Sequence, residues 1–576
     1  MGKKNKSFGQ LRREWLPNGE SDNINYCIPI NLGVVAQRTA FQANEVEAAV
    51  LVAMKKLSRH FGDFQKSNST SSHNQLIVMH QDNNPLAEHI AVFLKNEFGA
   101  QLVPATEEEI KKYCWVTIAA WDGIASDSSE VYQTIRKILS TRYDESKENQ
   151  YKLRFPENRP IYQIVLPLVN SGRSSIDYTV REIYPYLLET INSGSAWFDR
   201  NNYKSSRNER AKRRNFNSNA KKVRRFNEKI VRFDEKIDDQ TKYIYDLLPW
   251  HHKKKIQLPL CAEIANLREI YYDIISMKAQ KRQNIQMYLM MALAFLGLSS
   301  FALYSDLDIG KVFLVLYLLF MMCTYGLYWF FVKRVNAHKD YLEFRALAEG
   351  MRVQCHWYCA GINESVGTNY TVKFQKDMLW AKQAFNAWYM ADCLNNPVNS
   401  DYTPNNKMIK TEWLGTLPEK GRKGYKIQPP SDCPSGTKGQ YGFYSKRKRQ
   451  DYVKSSFSRA FAGIITIVSV LVSVVFTGLL LFDDFGHENL FVFIISFMNI
   501  LTLSITYLDN IKAYKELSDK YSYCSLLAQK ALQDYDEESS NADKVKDIFK
   551  QFGIEALEEN AEWLMIKNDR EPEVMS

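Results

Sequence analysis

The sequence predicts an α/β domain at the N-terminus, followed by an α-helical membrane domain with four transmembrane helices in two hairpins and long cytoplasmic helices. Up to about residue 190, short apolar runs alternate with helical stretches, the pattern of parallel strands joined by crossover helices. Further along, four runs without Asp, Glu, Lys or Arg each approach the roughly 20 residues that a helix needs to cross a bilayer. These runs are Gln283–Ser305, Val312–Val332, Ala460–Phe482 and Asn489–Leu508.

The first domain is predicted to span residues 1–190. Its candidate strands are Tyr26–Val35, Gln75–Met79, Gln101–Val103, Trp115–Ala120 and Ile161–Pro167. Between the strands, apolar residues recur at helical spacing. These candidate helices are Asn44–Phe61, Ala87–Phe98 and Ser128–Leu139.

Residues 191–260 are predicted to form a basic helical linker. Lysine and arginine dominate Asn201–Arg232, which contains few large aliphatic residues. A solvated helix that lies near anionic lipid headgroups would require no feature beyond this positive charge. A nucleic-acid site would need interleaved aromatic residues or a recognisable module, and only Phe216, Phe226 and Phe233 are present. The solvated or lipid-facing interpretation is therefore favoured, and no specific nucleic-acid partner is expected.

The charges that flank the four apolar runs predict their orientation. Lysine and arginine precede the first and third runs and follow the second and fourth. The two short hairpin tips are instead acidic, with Asp306, Asp308, Asp483, Asp484 and Glu488. Positive charge beside a span marks the cytoplasmic face. A multi-pass protein with both termini and the 334–459 connection in the cytoplasm is expected.

The membrane part divides into three segments. Residues 261–395 hold the first hairpin and cytoplasmic helices, including the strongly helical stretch Tyr341–Met390. Residues 396–450 are rich in Pro, Gly and Lys and are predicted to be a loop-rich insert. Residues 451–576 hold the second hairpin and two polar helices, Ala513–Tyr535 and Ala542–Trp563.

Composition excludes several other classes of protein. The formal net charge is +10, from 75 Lys and Arg against 65 Asp and Glu. The nine cysteines show no regular spacing, which argues against a disulfide scaffold and favours a reducing cytoplasmic side. Met1–Asn18 has no apolar core segment, so no cleaved signal peptide is expected. An aromatic content of 13% is too high for an intrinsically disordered chain.

A ligand site is predicted at the carboxyl ends of the parallel strands, where crevices form and helix N-termini present free N–H groups. Arg38 and Arg173 can make charge-assisted contacts with phosphate, and Asp122 can accept a hydrogen bond from a ribose hydroxyl. Serines at 126, 128 and 129 can hold an anion at a helix start, although N-capping alone is the simpler explanation for them. The candidate ligand-binding residues are Gly33, Gln37, Arg38, Thr39, Gln81, Asp82, Trp121, Asp122, Gly123, Ser126, Ser128, Ser129 and Arg173.

Five blocks of the first domain carry a resemblance to a known family. Leu32–Arg38, Pro85–His89, Phe98–Pro104, Ala119–Gly123 and Arg159–Ile161 resemble the SLOG superfamily, whose Rossmann-like sheet binds nucleotides and nucleotide-derived signals. The enzymatic branches of that family carry a Gly-Gly pair before the phosphate-binding helix, where this chain has Ser-Asp-Ser-Ser-Glu. The resemblance implies a nucleotide-derived ligand, whereas the missing Gly-Gly pair argues against catalysis. No cofactor and no catalytic residues are expected.

A second resemblance covers the C-terminal half. Phe344–Gln354, followed by Trp357 and Ala360–Gly361, together with Ala556–Trp563, resemble the SLATT class of membrane effectors. Members of that class accompany nucleotide-signal systems in bacterial antiphage defence and are thought to permeabilise membranes. The resemblance implies a pore-forming effector in the inner (cell) membrane.

The predicted spans contain no ionisable side chains apart from Tyr and Cys, which argues against a proton-coupled transporter. Polar residues lie on one face of the third span and on one face of the fourth. They could line a pore in a homo-oligomer or pack helices closely, and packing is favoured for the third span. Asn499 is the better pore or interhelix candidate, because an amide in lipid needs a partner. The residues are Thr466, Ser469, Ser473, Thr477, Ser496, Asn499, Thr502 and Thr506.

Other groups of polar residues favour structural roles. Cys355, His356 and Cys359 share a helix, but two further ligands at matching spacing are not evident, so buried cysteines are expected rather than a metal site. Glu349 and Arg352 are spaced for an ordinary ion pair. Three glutamates near the end of the chain either pair with Arg345 or Arg352 or form a solvated face; they are Glu558, Glu559 and Glu562.

The leading hypothesis is a membrane effector that is gated by a nucleotide signal and leaks ions through its spans. One alternative is a membrane-anchored enzyme that hydrolyses a nucleotide or NAD. Another is a membrane scaffold that binds a protein partner through the basic 201–232 stretch.

Overall fold

The computed structural model describes residues 24–36, 43–64, 75–114, 116–121, 162–167, 181–183, 207–237, 258–307, 309–331, 336–370, 379–395, 402–416, 439–482, 488–568 and 570. Within them the chain is mostly helical, with one small sheet near the N-terminus and four long apolar helices. The prediction of a mainly parallel sheet near the N-terminus and of four long apolar helices further along is confirmed.

Six strands form the sheet: β1 (Ile30–Ala36), β2 (Leu76–Gln81), β3 (Gln101–Ala105), β4 (Val116–Trp121), β5 (Tyr162–Pro167) and β6 (Arg181–Ile183). Their order is β3-β2-β1-β4-β5-β6, with parallel pairing throughout except between β5 and β6. All five predicted strands are confirmed. The first begins at Ile30 rather than Tyr26, and β6 was not predicted because three residues carry no apolar run.

Helices α1 (Ala43–Phe61), α2 (Pro85–Phe98) and α3 (Glu107–Tyr113) connect these strands. β1 is buried along its whole length, as expected for a central parallel strand covered on both faces. Thr106 and Glu109 form a capping box at the start of α3, which satisfies backbone N–H groups there. The first two helices were predicted, whereas the third predicted helix, Ser128–Leu139, lies outside the described residues.

The basic linker contains one long helix, α4 (Arg207–Ile237), and one of its faces is buried. Val223, Phe226 and Ile230 are buried at helical spacing, while Arg224 and Arg225 are exposed. A fully solvated or lipid-facing linker is therefore wrong for this helix. Three apolar residues at the right spacing are enough to dock a helix whose other face is basic.

The four predicted spans lie in α5 (Leu260–Ser305), α6 (Val312–Phe330), α11 (Gly439–Phe482) and α12 (Glu488–Lys512), each long and apolar enough to cross a membrane. α5 packs on α6 and α11 packs on α12, as predicted for two hairpins. The hairpins meet where α5 packs against α12, and the rings of Phe295 and Phe497 lie 5.6 Å apart. The structure is therefore compatible with a multi-pass membrane protein.

The remaining helices are α7 (Ala337–Cys359), α8 (Val366–Asn369), α9 (Leu379–Asn395), α13 (Tyr514–Glu538) and α14 (Ala542–Asn568). Among them, α7 packs along α5, α13 packs on α11, and α14 packs on both α7 and α13. We call α7, α9, α13, α14 and residues 260–282 of α5 the helical base. The predicted helical stretch Tyr341–Met390 contains two main helices, because the chain turns after α7 at Gly361, whose φ of 67° favours glycine.

The insert is narrower than predicted. A short helix, α10 (Asn406–Ile409), continues into a π turn (Lys410–Leu414), and α11 already begins at Gly439. Trp413 is buried, and its ring stacks on that of His356 at 4.6 Å. This aromatic anchor orders a segment whose prolines and glycines had indicated only loops.

Candidate functional site

The carboxyl ends of β1, β2, β4 and β5 lie at the same edge of the sheet, because these strands are parallel. β1 lies between β2 and β4, so the chain leaves it on one side and later returns on the other. Ligands bind open α/β sheets in the crevice that such a reversal creates. Ala36 of β1 is paired with Ala120 of β4, so the carboxyl ends of these two strands lie side by side.

A buried asparagine that the sequence reasoning missed organises this edge. The Asn84 side chain donates to the Ala36 carbonyl at 2.6 Å and to Gln81 Oε1 at 3.2 Å. Its own Oδ1 accepts from the Ala87 backbone N–H and caps α2. The Asn-Asn-Pro triplet at a strand-to-helix turn was the available signal, since asparagine before proline is typical of a helix start.

The structure places only some of the predicted ligand-binding residues. Gln81 and Trp121 end β2 and β4 at the predicted edge, and Asp82 is exposed in the turn that follows β2. Gly33 lies inside β1, where a Cβ would be 2.6 Å from Ile110 Cγ2, so close packing of α3 accounts for this glycine. The others remain predictions outside the described residues: Gln37, Arg38, Thr39, Asp122, Gly123, Ser126, Ser128, Ser129 and Arg173.

The segment just before β1 joins the sheet to the helical base. Tyr272 of α5 donates its hydroxyl hydrogen to the Tyr26 carbonyl at 2.7 Å, and Trp388 Nε1 of α9 donates to the Cys27 carbonyl at 3.1 Å. From α4, the Asn227 amide accepts from the Ile28 N–H at 2.8 Å and donates to the Ile28 carbonyl at 3.1 Å. Three helices therefore hold the backbone that leads into the central strand.

A buried ion pair lies beside this junction. Arg268 of α5 donates to both carboxylate oxygens of Asp392 on α9, at 2.7 and 2.8 Å. Their side chains are only 5% and 3% exposed. Burial raises the pKa of Asp392 to about 6, although the guanidinium of Arg268 opposes that shift.

Further along α5, a chain of buried charges connects it to α7. Asp273 accepts from Arg345 at 2.5 Å, Arg345 also pairs with Glu349, and Arg352 contacts Glu349 at 2.8 Å and Glu269 at 2.6 Å. The predicted Glu349–Arg352 pair is confirmed. Burial raises the pKa of Glu269 to about 7, because the nearby Arg352 only partly offsets the loss of hydration.

Two of the C-terminal glutamates pair with a lysine rather than with either of the arginines that were predicted as one alternative. Glu559 and Glu562 face Lys520 of α13, at 3.8 and 3.4 Å, rather than Arg345 or Arg352. Burial raises the pKa of Glu559 to about 7. The pairs connect α13 to α14, so these acids do couple helices, but through a lysine that the sequence did not single out.

A cavity of about 780 Å³ runs beside the charge chain. It follows α5 from Asn266 to Tyr288, and residues of α7, the π turn, α11, the end of α12, α13 and α14 form its other walls. One end therefore reaches the buried ion pairs, and the other reaches the start of the first span. Seven basic and four acidic side chains line it.

The Cys355, His356 and Cys359 group is structural. All three are buried, and burial lowers the pKa of His356 to about 3, so the ring is neutral. Its Nδ1 lies 2.6 Å from the Arg352 carbonyl. Among the described residues no group of three or more His, Cys, Asp or Glu is arranged to hold a metal ion.

The hydroxyls of the third span mainly bond to their own helix. Thr466, Ser473 and Thr477 each donate to the carbonyl four residues earlier, at 2.8–2.9 Å. Ser469 differs, because it donates to Asn499 Oδ1 of the fourth span at 3.4 Å. On that span Ser496 is half-buried, and Thr506 donates to the Thr502 carbonyl at 2.9 Å. The polar stripes thus contribute one contact between helices, which supports the interhelix interpretation of Asn499.

Comparison of the chain with protein-family models, with curated proteins and with solved structures finds no match. The function must therefore be argued from the geometry described above.

Proposed function

We propose that this chain is a membrane effector that is gated by a nucleotide-type signal and permeabilises the bilayer. One observation carries the proposal. α5 is a single helix of 46 residues, whose first half bonds to the segment that enters the central strand and whose second half is the first span. A change at the sheet can therefore reach the membrane through a rigid element without crossing a loop.

The strand order supports a nucleotide as the signal. β3-β2-β1-β4-β5-β6 is the order of Rossmann-like dinucleotide-binding sheets, although β6 is antiparallel here. In such sheets the ligand lies where the order reverses, between β1 and β4. Arg38 and Asp122 follow these strands by two residues and one residue, so they suit contacts with phosphate and ribose.

A polar residue in the fourth span supports assembly of the spans into a homo-oligomer. Asn499 is exposed within an apolar helix, and its Oδ1 accepts one hydrogen bond from Ser469 of the third span. A carboxamide has more donor and acceptor sites than this one contact uses, and a second copy of the chain would supply a further partner in the membrane. The resemblances to SLOG and SLATT proteins support a role for such an effector in bacterial antiphage defence, at the inner membrane.

The flanking charges orient the protein with both termini and the sheet in the cytoplasm. A single cysteine at position 484, in the second hairpin tip, is then accessible to an impermeant thiol reagent from outside intact cells. Labelling of a cysteine at position 205 instead would reverse the orientation.

Nucleotide binding tests the sensor half of the proposal. Full-length protein in detergent is titrated with nucleoside mono-, di- and triphosphates, cyclic nucleotides and NAD. Arg38→Ala and Asp122→Ala should each weaken the best binder roughly ten-fold or more, since hydrogen bonds to charged groups contribute about 1.5–3 kcal/mol. Arg59→Ala and Glu97→Ala are matched controls, because both residues are exposed near the ends of α1 and α2, away from the carboxyl edge.

Equal affinity in the site variants and the controls would move the binding site elsewhere. Turnover of a bound nucleotide or NAD would favour the enzyme alternative.

Substitution of Asn499 by leucine tests the output half. Insertion should be unimpaired because the span becomes more apolar, whereas assembly and ion leakage should weaken. Interhelical hydrogen bonds in membranes contribute about 0.6–1.7 kcal/mol, which corresponds to a roughly three- to twenty-fold effect. Thr506→Val is the control, because that hydroxyl is satisfied within its own helix. Subunit cross-linking and liposome efflux that match those of wild type would remove Asn499 from the mechanism.

A further inference from the structure

The membrane end of the cavity lies where the fourth span meets the helical base. α12 ends at Lys512, the chain turns at Ala513 with φ 53°, and α13 begins at Tyr514. Lys512 donates from Nζ to Asn284 Oδ1 of α5 at 2.6 Å. Lys567 of α14 donates to the Lys512 carbonyl at 2.8 Å and so satisfies a backbone acceptor at the end of the span.

Charge at this end of the cavity is not balanced. We call the group formed by Arg447, Asp451, Lys454, Lys512 and Lys567 the lysine pocket; all five line the cavity. It contains four basic side chains and one acidic side chain. At the opposite end, Arg345 and Arg352 are neutralised by the acids of α5 and by Glu349. Arg570 also lies at the membrane end, but it pairs with Glu516.

The two lysines are partly buried and have no direct ion-pair partner among the described residues, although Asp451 and Glu516 lie close enough to Lys567 to act on its charge. Lys512 and Lys567 make their closest polar contacts with an amide and a carbonyl oxygen. Burial lowers the pKa of Lys512 to about 8 and that of Lys567 to about 8. Asp451 and Glu516 offset this effect for Lys567 only in part, so an anion in the cavity would stabilise the charged form of both lysines further.

We propose that the lysine pocket binds a phosphate-bearing group. The cavity has room for it, and phosphate oxygens accept several charge-assisted hydrogen bonds at once. The pocket lies beside the starts of the first and third spans and the end of the fourth, which is the level of lipid headgroups. The group is therefore either an anionic lipid headgroup or a soluble phosphate compound, and both present the same chemistry to the lysines.

Such a ligand would act at a hinge. Alanine rarely adopts a left-handed conformation, and such strain persists where the surrounding structure enforces it. The pocket joins three segments around Ala513: the start of the first span through Asn284, the end of the fourth through Lys512, and α14 through Lys567. A bound phosphate group would fix this junction. The inference depends on these contacts and not on what the sheet binds.

Thermal unfolding of purified full-length protein tests the proposal with two probes. In detergent, the protein is titrated with inorganic pyrophosphate against chloride at equal ionic strength. In bilayer nanodiscs, phosphatidylglycerol is compared with phosphatidylcholine. At least one anionic probe should raise the unfolding midpoint of wild type. The Lys512→Gln/Lys567→Gln variant should need at least a ten-fold higher probe concentration for the same shift.

The control is Lys530→Gln/Lys546→Gln, which removes the same charge from exposed positions on α13 and α14. Arg447→Gln/Lys454→Gln is a second test, because these exposed side chains can be replaced without loss of a backbone contact, and a weakening of about three-fold or more is expected. Stabilisation by pyrophosphate assigns a soluble ligand, and stabilisation by phosphatidylglycerol alone assigns a headgroup. No stabilisation of wild type by either probe, or equal stabilisation of pocket and control variants, would overturn the proposal.

Discussion

Replacement of Arg268 by methionine is expected to lower the free energy of unfolding of the helical base by about 3–5 kcal/mol, the cost of leaving one member of a buried ion pair alone. Asp392 is 3% exposed and would lose both of its guanidinium hydrogen bonds. The double variant Arg268→Met/Asp392→Leu should recover most of that loss, because no unpaired charge remains. Arg224→Met is the control, since it removes an arginine from an exposed pair with Glu228 and should cost under about 1 kcal/mol.

The effect should depend on pH with a defined sign. Burial raises the pKa of Asp392 to about 6, above its value of 3.8 in the unfolded chain, and loss of Arg268 raises it further because the guanidinium holds it down. The folded state of the variant then binds the Asp392 proton more tightly than the unfolded state does. Its free energy of unfolding therefore falls as the pH rises through the pKa of the folded state. Arg268→Met should therefore destabilise strongly at about pH 8 and less at about pH 5. Tryptophan fluorescence during thermal unfolding measures this, and a loss that is equal at both pH values would contradict it.

The second large effect concerns communication along α5. Lys281→Gly/Arg282→Gly should weaken the helix by about 2 kcal/mol at two exposed positions between the base and the first span. Nucleotide binding by the sheet should remain within about two-fold of wild type, whereas ligand-dependent efflux should fall at least ten-fold. Lys281→Ala/Arg282→Ala removes the same charges but keeps the helix, so it should retain efflux. If the glycine variant still couples binding to efflux, α5 does not transmit the signal.

The elements that the sequence predicted well are those with a strong local pattern. β1, β2 and β4 are short runs of apolar residues, and the four spans are uncharged for about 20 residues. α4 was misjudged because its basic residues outnumber the three apolar ones that dock it. The insert was misjudged because prolines and glycines signalled a loop, whereas Trp413 gains its anchor from a helix more than 50 residues away.

The positions of site residues were predictable from the sequence only where the parallel arrangement of the strands determines them. Parallel strands bring Gln81 and Trp121 to the same edge of the sheet, regardless of the contacts that their side chains make. The Arg268–Asp392 pair and the lysine pocket join segments separated by more than 50 residues, and a single sequence carries no signal for such contacts. Asn84 had a local signal in its strand-to-helix turn, but its bond to the Ala36 carbonyl again required the fold.

Ion efflux from liposomes that contain purified full-length protein tests the central claim most directly. The nucleotide that binds most tightly to the protein is added to the face that carries the sheet, and efflux is compared with and without it. The account predicts at least a ten-fold rise in efflux for wild type, and no rise for Arg38→Ala at the same nucleotide concentration. A nucleotide that binds to the carboxyl edge of the sheet but leaves efflux unchanged would contradict it.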